Sequence, residues 1–343
     1  MHTLSYTSDY QEGMHPKILQ ALTDTNLLST PGYGTDSYSE SARSLIRKAC
    51  DCPNAAVHFL TGGTQTNAVV IDTALAPYQG VIAAQSGHIS LHEAGAIEYT
   101  GHKVIELAQA DGKLQAETIR SFCETFYKDE NHEHMVMPGM VYLSQPTEYG
   151  TLYSLAELTA IREVCDAYQM KLYLDGARLA YALAAEGNDV TLPDLAKLCD
   201  IFYIGGTKCG CLFGEAVVLP DPSLIPHFFT MIKQHGALLA KGRIAGIQFE
   251  TLFTDDLYTE VGRTALEAAS LLRTILKEKN YQLVYENPTN QIFVILDNKK
   301  MEELAESVHF GFWEPYDETH TVVRFATSWA SKLQDVELLR NIL

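Results

Sequence analysis

From residue 55 to residue 220 the chain alternates short apolar runs with stretches whose apolar residues recur at helical spacing. That alternation leaves few architectures open. Strands separated by helical crossovers pair in parallel, and a parallel sheet needs helices over both faces. Strands are expected at residues 55–60, 81–85, 103–107, 140–145, 171–175, 200–206 and 215–220. Helices are expected at 64–75, 114–127 and 154–169, the last with Ser154 as its N-cap. Together they define a large, mainly parallel α/β domain over residues 45–225. Beyond it, 224–252 and 256–278 read as long helices, 291–297 and 320–327 as strands, and 300–308 and 332–343 as helices. This second, smaller domain is α+β and covers 226–343. Residues 1–44 read as an N-terminal arm, with a helix at 16–22 and a Gly/Ser/Thr/Tyr-rich loop at 26–40.

The length of 343 residues fits this two-domain division. The formal net charge of -18 argues against non-specific nucleic-acid binding, which needs a basic face. It leaves room for a local basic pocket that takes one small anion. The first residues have neither a basic nor an apolar signal-peptide region, and no apolar run is long enough to span a membrane. The seven cysteines are odd in number and scattered, which fits a reducing cytoplasm better than a disulfide framework. Cys50/Cys52 and Cys209/Cys211 are closely spaced, but without clustered His ligands they are weak metal signals, and no metal is expected.

Four segments carry residues suited to chemistry. Residues 61–67, TGGTQTN, follow a strand and open a helix. Gly62, Gly63 and Thr64 can present free N–H groups to a phosphate; a tight turn without ligand is the plain alternative. In residues 172–180, LYLDGARLA, Asp175 ends a strand, where ligands bind in open α/β sheets. It can pair with a pyridinium nitrogen, or simply cap the next helix. In residues 202–210, FYIGGTKCG, Lys208 follows an apolar strand. A desolvated lysine is a nucleophilic amine suited to a Schiff base, whereas one at a strand end can also reach out to water. In residues 83–96, His88 follows a strand and Glu93 lies five residues on. An imidazole there can stack on a planar cofactor, move a proton, or bond to the loop backbone.

In this order the segments resemble the threonine aldolases of the β-eliminating lyase group. The resemblance runs from TSDY at 7–10 to VVRFAT at 322–327, with Tyr33-Gly34-x-Asp36, FLTGGTQ-x-N at 59–67, His88 with Glu93-Ala-Gly, LDGAR at 174–178 and GGTK at 205–208. It implies an aspartate-aminotransferase-like fold of type I with pyridoxal 5'-phosphate (PLP) as cofactor. It further implies Lys208 as the covalent anchor, Asp175 at the pyridine nitrogen, His88 over the ring, and Gly62, Gly63 and Thr64 at the phosphate. Ser8, Arg178 and Arg324 are expected near the substrate carboxylate. A homotetramer built of dimers with shared sites is implied, with Tyr33 crossing over, and Lys233, Lys241 or Arg243 in regions that cross over. Where some members have N-T-H, this chain has Pro146-Thr147-Glu148, so Glu148 takes the place of a histidine.

The activity implied is retro-aldol cleavage of L-threonine or L-allo-threonine, or similar β-hydroxy-α-amino acids, to glycine and an aldehyde. His88, or a water near Glu148 or Glu93, is the expected base. Phenylserine cleavage or β-elimination on the same scaffold, and a catalytically idle PLP-binding protein, are the rival readings.

Overall fold

The computed structural model describes residues 4–343. Its strands are β1 (Leu4–Tyr6), β2 (Ala56–Leu60), β3 (Gln79–Ala84), β4 (Val104–Leu107), β5 (Met137–Ser144), β6 (Lys171–Asp175), β7 (Ile201–Gly205), β8 (Glu215–Leu219), β9 (Gln282–Leu283), β10 (Gln291–Asp297), β11 (Val308–Pro315) and β12 (His320–Ala326). Seven of them form one sheet in the order β2-β8-β7-β6-β5-β3-β4. Only β8 runs against its neighbours, pairing antiparallel with β2 and β7. The rest of the sheet is parallel, as the strand–helix alternation demands.

Side chains alternate across this sheet, and both faces are buried. Leu172, Leu174, Phe202 and Ile204 join one apolar cluster, while Tyr173, Ile201 and Tyr203 join another on the opposite face. That is why β7 and β8 are buried at every position and, apart from Glu215 at the head of β8, read in sequence as apolar runs. The 22-residue helix Leu257–Glu278 leads on to the second sheet, ordered β1-β11-β12-β10-β9. A third apolar cluster, with Leu272, Ile275, Val294, Val323 and Phe325, is its core. β1, from the start of the chain, pairs in parallel with β11.

Several elements depart from the sequence expectation. The long helix expected at 224–252 is two helices, Phe228–Gln234 and Arg243–Leu252. Gly236 breaks it with φ of +69°, a left-handed conformation that ends helices. Residues 37–40, expected in a loop, open the helix Ser37–Ala49, which Asp36 caps by accepting the N–H of Ser39 at 2.9 Å. β1 and β11 were not expected as strands at all; the helix expected at 300–308 ends at Ala305 and gives way to β11. No helix among the described residues is long and apolar enough to cross a membrane.

Candidate active site

The parallel strands deliver their C-terminal ends to one edge of the large sheet, the edge where ligands bind in such folds. β5 ends there at Ser144, β6 at Asp175 and β7 at Gly205, and antiparallel β8 begins there with Glu215. The turns between them are tightly packed. A Cβ on Gly176 would stand 2.1 Å from the carbonyl oxygen of Tyr203, and one on Gly205 2.3 Å from that of Ala177. Glycine is therefore required at both positions. A cavity of about 250 Å³ opens at this edge, with Lys208, Asp175, Arg178, His88, Glu148 and Thr64 on its wall.

Lys208 faces this cavity with the Tyr10 ring centroid 6.0 Å from Nζ. Burial, and then the charge of Arg178, lower its affinity for a proton; Asp9, Asp175 and Glu215 oppose them without prevailing. The amine is thus shifted toward its nucleophilic form. Asp175 is buried, which alone would raise its pKa. The charge of His88 and hydrogen bonds from Tyr142, Tyr203 and the Ala177 N–H outweigh burial and lower it. The Tyr142 hydroxyl donates to Oδ2 at 2.6 Å and the Ala177 N–H to Oδ1 at 2.9 Å. The result is a carboxylate kept ionised in a dry setting.

His88 opens a one-turn helix, and Glu93 lies behind it. Glu93 Oε1 meets His88 Nδ1 at 2.7 Å and accepts from Asn67 Nδ2 at 2.7 Å. Asn67 also reaches Asp175 Oδ2 at 3.2 Å. Glu93 therefore orients the imidazole and is not on the cavity wall. Glu148 is on the wall. Its Oε1 accepts from the Ser144 hydroxyl at 2.7 Å and the His88 N–H at 2.9 Å. Burial raises its pKa above the ordinary carboxylate value, although the Ser144 hydrogen bond and the charge of His88 pull the other way.

The helix Gly63–Ala74 points its N-terminus at the same space. Its N-cap, Gly62, is extended and offers no side-chain cap, and a Cβ there would meet nothing within 4 Å. The first-turn N–H groups, including those of Gly63 and Thr64, are left for an external acceptor.

Arg178 is also on the wall, but its guanidinium is already engaged. Nε donates to Asp9 Oδ2 at 2.6 Å and Nη2 to Asp9 Oδ1 at 3.1 Å. Asp9 is fully buried and receives Asn290 Nδ2 at 2.8 Å as well. Burial pushes Asp9 up, yet Arg178, Lys208 and these hydrogen bonds hold it at about 2. Arg324 lies off the wall: Nη2 donates to the Thr7 carbonyl at 2.9 Å, Nη1 to Gln291 at 3.1 Å, and the guanidinium lies 5.7 Å from the Trp313 ring centroid. Its Nε is buried without a partner. Ser8 sits between Thr7 and Asp9, the two residues that hold these arginines, and is itself off the wall.

Tyr33 is not in this cavity. It lies 4.6 Å from Lys233 Nζ, in a second depression with Phe229 and His58. Arg243 is tied to the arm through the carbonyls of Leu28 and Asn26. Cys209 and Cys211 are buried free thiols, and burial pushes Cys209 up to about 12. No group of three or more His, Cys, Asp or Glu among the described residues is placed to hold a metal. Asp9 and Asn67 lie within the TSDY and FLTGGTQ-x-N segments, but their roles at the site emerge only from the structure, as do those of Tyr142 and of Glu215, a carboxylate opening an otherwise apolar strand.

Fold and site together define an aspartate-aminotransferase-like architecture, the type I fold of PLP enzymes. Aspartate aminotransferase from Thermus thermophilus superposes with a TM-score of 0.71 at 14% identity, over 99% of this chain and 90% of that one. The sequence model of the family described as beta-eliminating lyase matches residues 13–299, and the chain belongs to that family. The structure of Leishmania major threonine aldolase is similar at a TM-score of 0.94 and 43% identity, covering 99% of this chain and all of that one. A low specificity L-threonine aldolase from Pseudomonas aeruginosa is 29% identical over 99% of this chain and 97% of its own length.

Proposed function

We propose that this chain is a PLP-dependent aldehyde-lyase that cleaves L-threonine, L-allo-threonine and related β-hydroxy-α-amino acids to glycine and an aldehyde. The observation that carries it is one cavity holding a desolvated lysine and a buried ionised carboxylate beside an uncapped helix N-terminus. That donor set fits PLP group by group. Lys208 is suited to the aldehyde, Asp175 to the ring nitrogen, and Gly62, Gly63 and Thr64 to the phosphate. When bound, PLP supplies the electron sink for the pair released as the Cα–Cβ bond breaks.

The chain's own residues then bind, orient and move protons. His88, fixed by Glu93 through Nδ1, is the ring-facing group. Glu93, expected beside a water acting as base, has its Oε1 on His88 and Asn67, which supports a role in holding the imidazole. Arg178 offers its remaining guanidinium nitrogen to the substrate carboxylate, and Asp9 fixes the guanidinium plane. Arg324 and Ser8 belong to the same recognition face through Thr7 and Asp9. Glu148 is the base that takes the β-hydroxyl proton. Its Oε1 is engaged by Ser144 and His88, which leaves Oε2 for the substrate, and burial makes it a better proton acceptor than an exposed carboxylate.

We extend the reading to a cytoplasmic homotetramer, a dimer of dimers. Tyr33 with Lys233, and the Lys241–Arg243 segment, form the patch that would complete a neighbour's site. The arm (1–44), large domain (45–225) and small domain (226–343) are the units of that assembly.

The test is product analysis with purified protein. L-threonine, L-allo-threonine and L-phenylserine should give glycine and the matching aldehyde. Lys208→Ala should lose both glycine formation and the visible absorbance of the bound cofactor. Ammonia and a keto acid in place of glycine would assign β-elimination instead, and cofactor binding without turnover would assign an idle protein.

A further inference from the structure

Glu215 is the one buried carboxylate on the cavity wall that the proposed reaction does not use. It is 3% exposed. It opens β8, and its register places it between Gly205, which ends β7 ahead of Lys208, and Leu60, which ends β2 ahead of the glycine turn. Oε2 accepts the Gly206 N–H at 3.1 Å, and the Thr207 hydroxyl hydrogen-bonds to the same carboxyl. That hydroxyl accepts the Gly214 N–H at 3.0 Å, so its own proton is free to point at Glu215. The carboxyl thus grips both residues that lead directly into Lys208. A buried carboxylate is costly unless it is protonated or paired with a cation, and the cation whose charge bears on Glu215 is Lys208.

We propose that Glu215 is the proton partner of Lys208 across the cavity whose wall both line: because the two are not in direct contact, a water in that cavity carries to its carboxylate the proton that the Lys208 ammonium must lose before the amine can add to a carbonyl, and carries it back when the lysine is released. The inference rests on Lys208 being the amine that anchors the cofactor. The step balances. The ammonium N–H bond breaks, and the proton forms an O–H bond on Glu215. The free amine adds to the carbonyl carbon, water leaves, and a carbon–nitrogen double bond remains. No electron is gained or lost.

The surroundings favour a proton shared between these two groups. Asp175 faces Glu215 as a second negative charge. The phenols of Tyr173, Tyr203 and Tyr258 and the thiols of Cys209 and Cys211 face it as well, and burial keeps all of them protonated near neutral pH. Burial pushes Glu215 itself up to about 8, while burial and Arg178 bring Lys208 down. The two affinities move toward each other, as they must if one proton is to serve both groups.

The experiment follows capture of PLP by the full-length chain after the cofactor has been removed. The rate at which the visible band appears is measured across pH for wild type, Glu215→Gln and Glu215→Asp. In wild type the carboxylate holds the proton on Lys208, so the rate should climb over a broad, two-step pH range. Glu215→Gln removes the negative neighbour. Its rise should be a single titration with half-maximal rate about one unit lower in pH, a tenfold change in proton affinity. Glu215→Asp keeps the charge and should stay close to wild type. Coincident profiles for wild type and Glu215→Gln would overturn the proposal and leave Glu215 as a plain acceptor for Gly206 and Thr207. Absence of any band in wild type would instead sink the assignment of Lys208. Should Glu215→Gln fail to fold, wild type labelled with ¹³C at the glutamate carboxyls gives the answer. A resonance missing in Glu215→Asp should move from the carboxylate to the acid position when PLP is added, and a fixed resonance would count against the proposal.

Discussion

At the residue scale, function depends on which carboxylates keep their protons. Asp9 and Asp175 are buried among cations and donors and stay ionised, whereas Glu148 and Glu215 are buried among fewer donors and hold protons more tightly. This sorting sets the pH dependence. With Glu148 as the proposed base, active only when ionised, turnover should fall on the acid side as it takes up a proton. Because its pKa is raised, that fall should come above the ordinary carboxylate range of about 4. Glu148→Gln should remove the acid limb and reduce kcat roughly a hundredfold or more, while Lys208 still binds cofactor. Steady-state rates from pH 5 to 9 (about the span in which histidine and raised carboxyls titrate) check this; an acid limb unchanged in the variant assigns the base elsewhere. That Lys208, Asp175 and Glu148 meet at one cavity was legible because each ends or follows a strand at the same sheet edge. Asp9 was not, because its meaning lies in an arginine 169 residues away.

At the element scale, the site depends on close approach between backbones. The DGAR turn passes so near β7 that a Cβ on Gly176 would collide with a main-chain oxygen, which cannot rotate aside. Gly176→Ala should therefore destabilise the protein by about 1–3 kcal/mol or more, as forced overpacking does. It should also weaken cofactor retention, since Asp175 and Lys208 move with these strands. Thermal unfolding with and without PLP measures both effects, and a variant as stable as wild type would mean that the turn relaxes freely. Elements whose pattern is local were readable: β6 and β10 were expected at their observed limits, as apolar runs bounded by polar residues. β11 was not, because most of its positions are at least partly exposed and its sequence VHFGFWEP carries no sustained alternation of buried and exposed residues. The break in the 224–252 stretch runs from left-handed Gly236 to Gly242, where a Cβ would stand 2.4 Å from the Gly34 backbone; contact with the arm, which helical spacing does not reveal, shapes its far end.

At the scale of the whole molecule, Tyr33 and Phe229 are substantially exposed around the second depression, and Leu27 is 94% exposed on the arm nearby in sequence. Large apolar side chains gathered on one surface are the usual mark of an interface. Sedimentation equilibrium should give four chain masses, and Tyr33→Ala should lower turnover without changing the visible band of the cofactor. A monomer with full activity would refute shared sites. One further consequence follows from the arm. Asp9 pairs with Asn290 across 281 residues of chain, and the Thr7 carbonyl receives Arg324 across 317. During synthesis on a ribosome, Thr7 and Asp9 are made about 300 residues ahead of Asn290 and Arg324, so this centre can close only after those later residues emerge. The large sheet has all its strands by Leu219, so it can take shape well before the recognition face does. Nascent chains released early should therefore resemble the protein in secondary structure yet lack a finished site, a delay built into the order of the sequence itself.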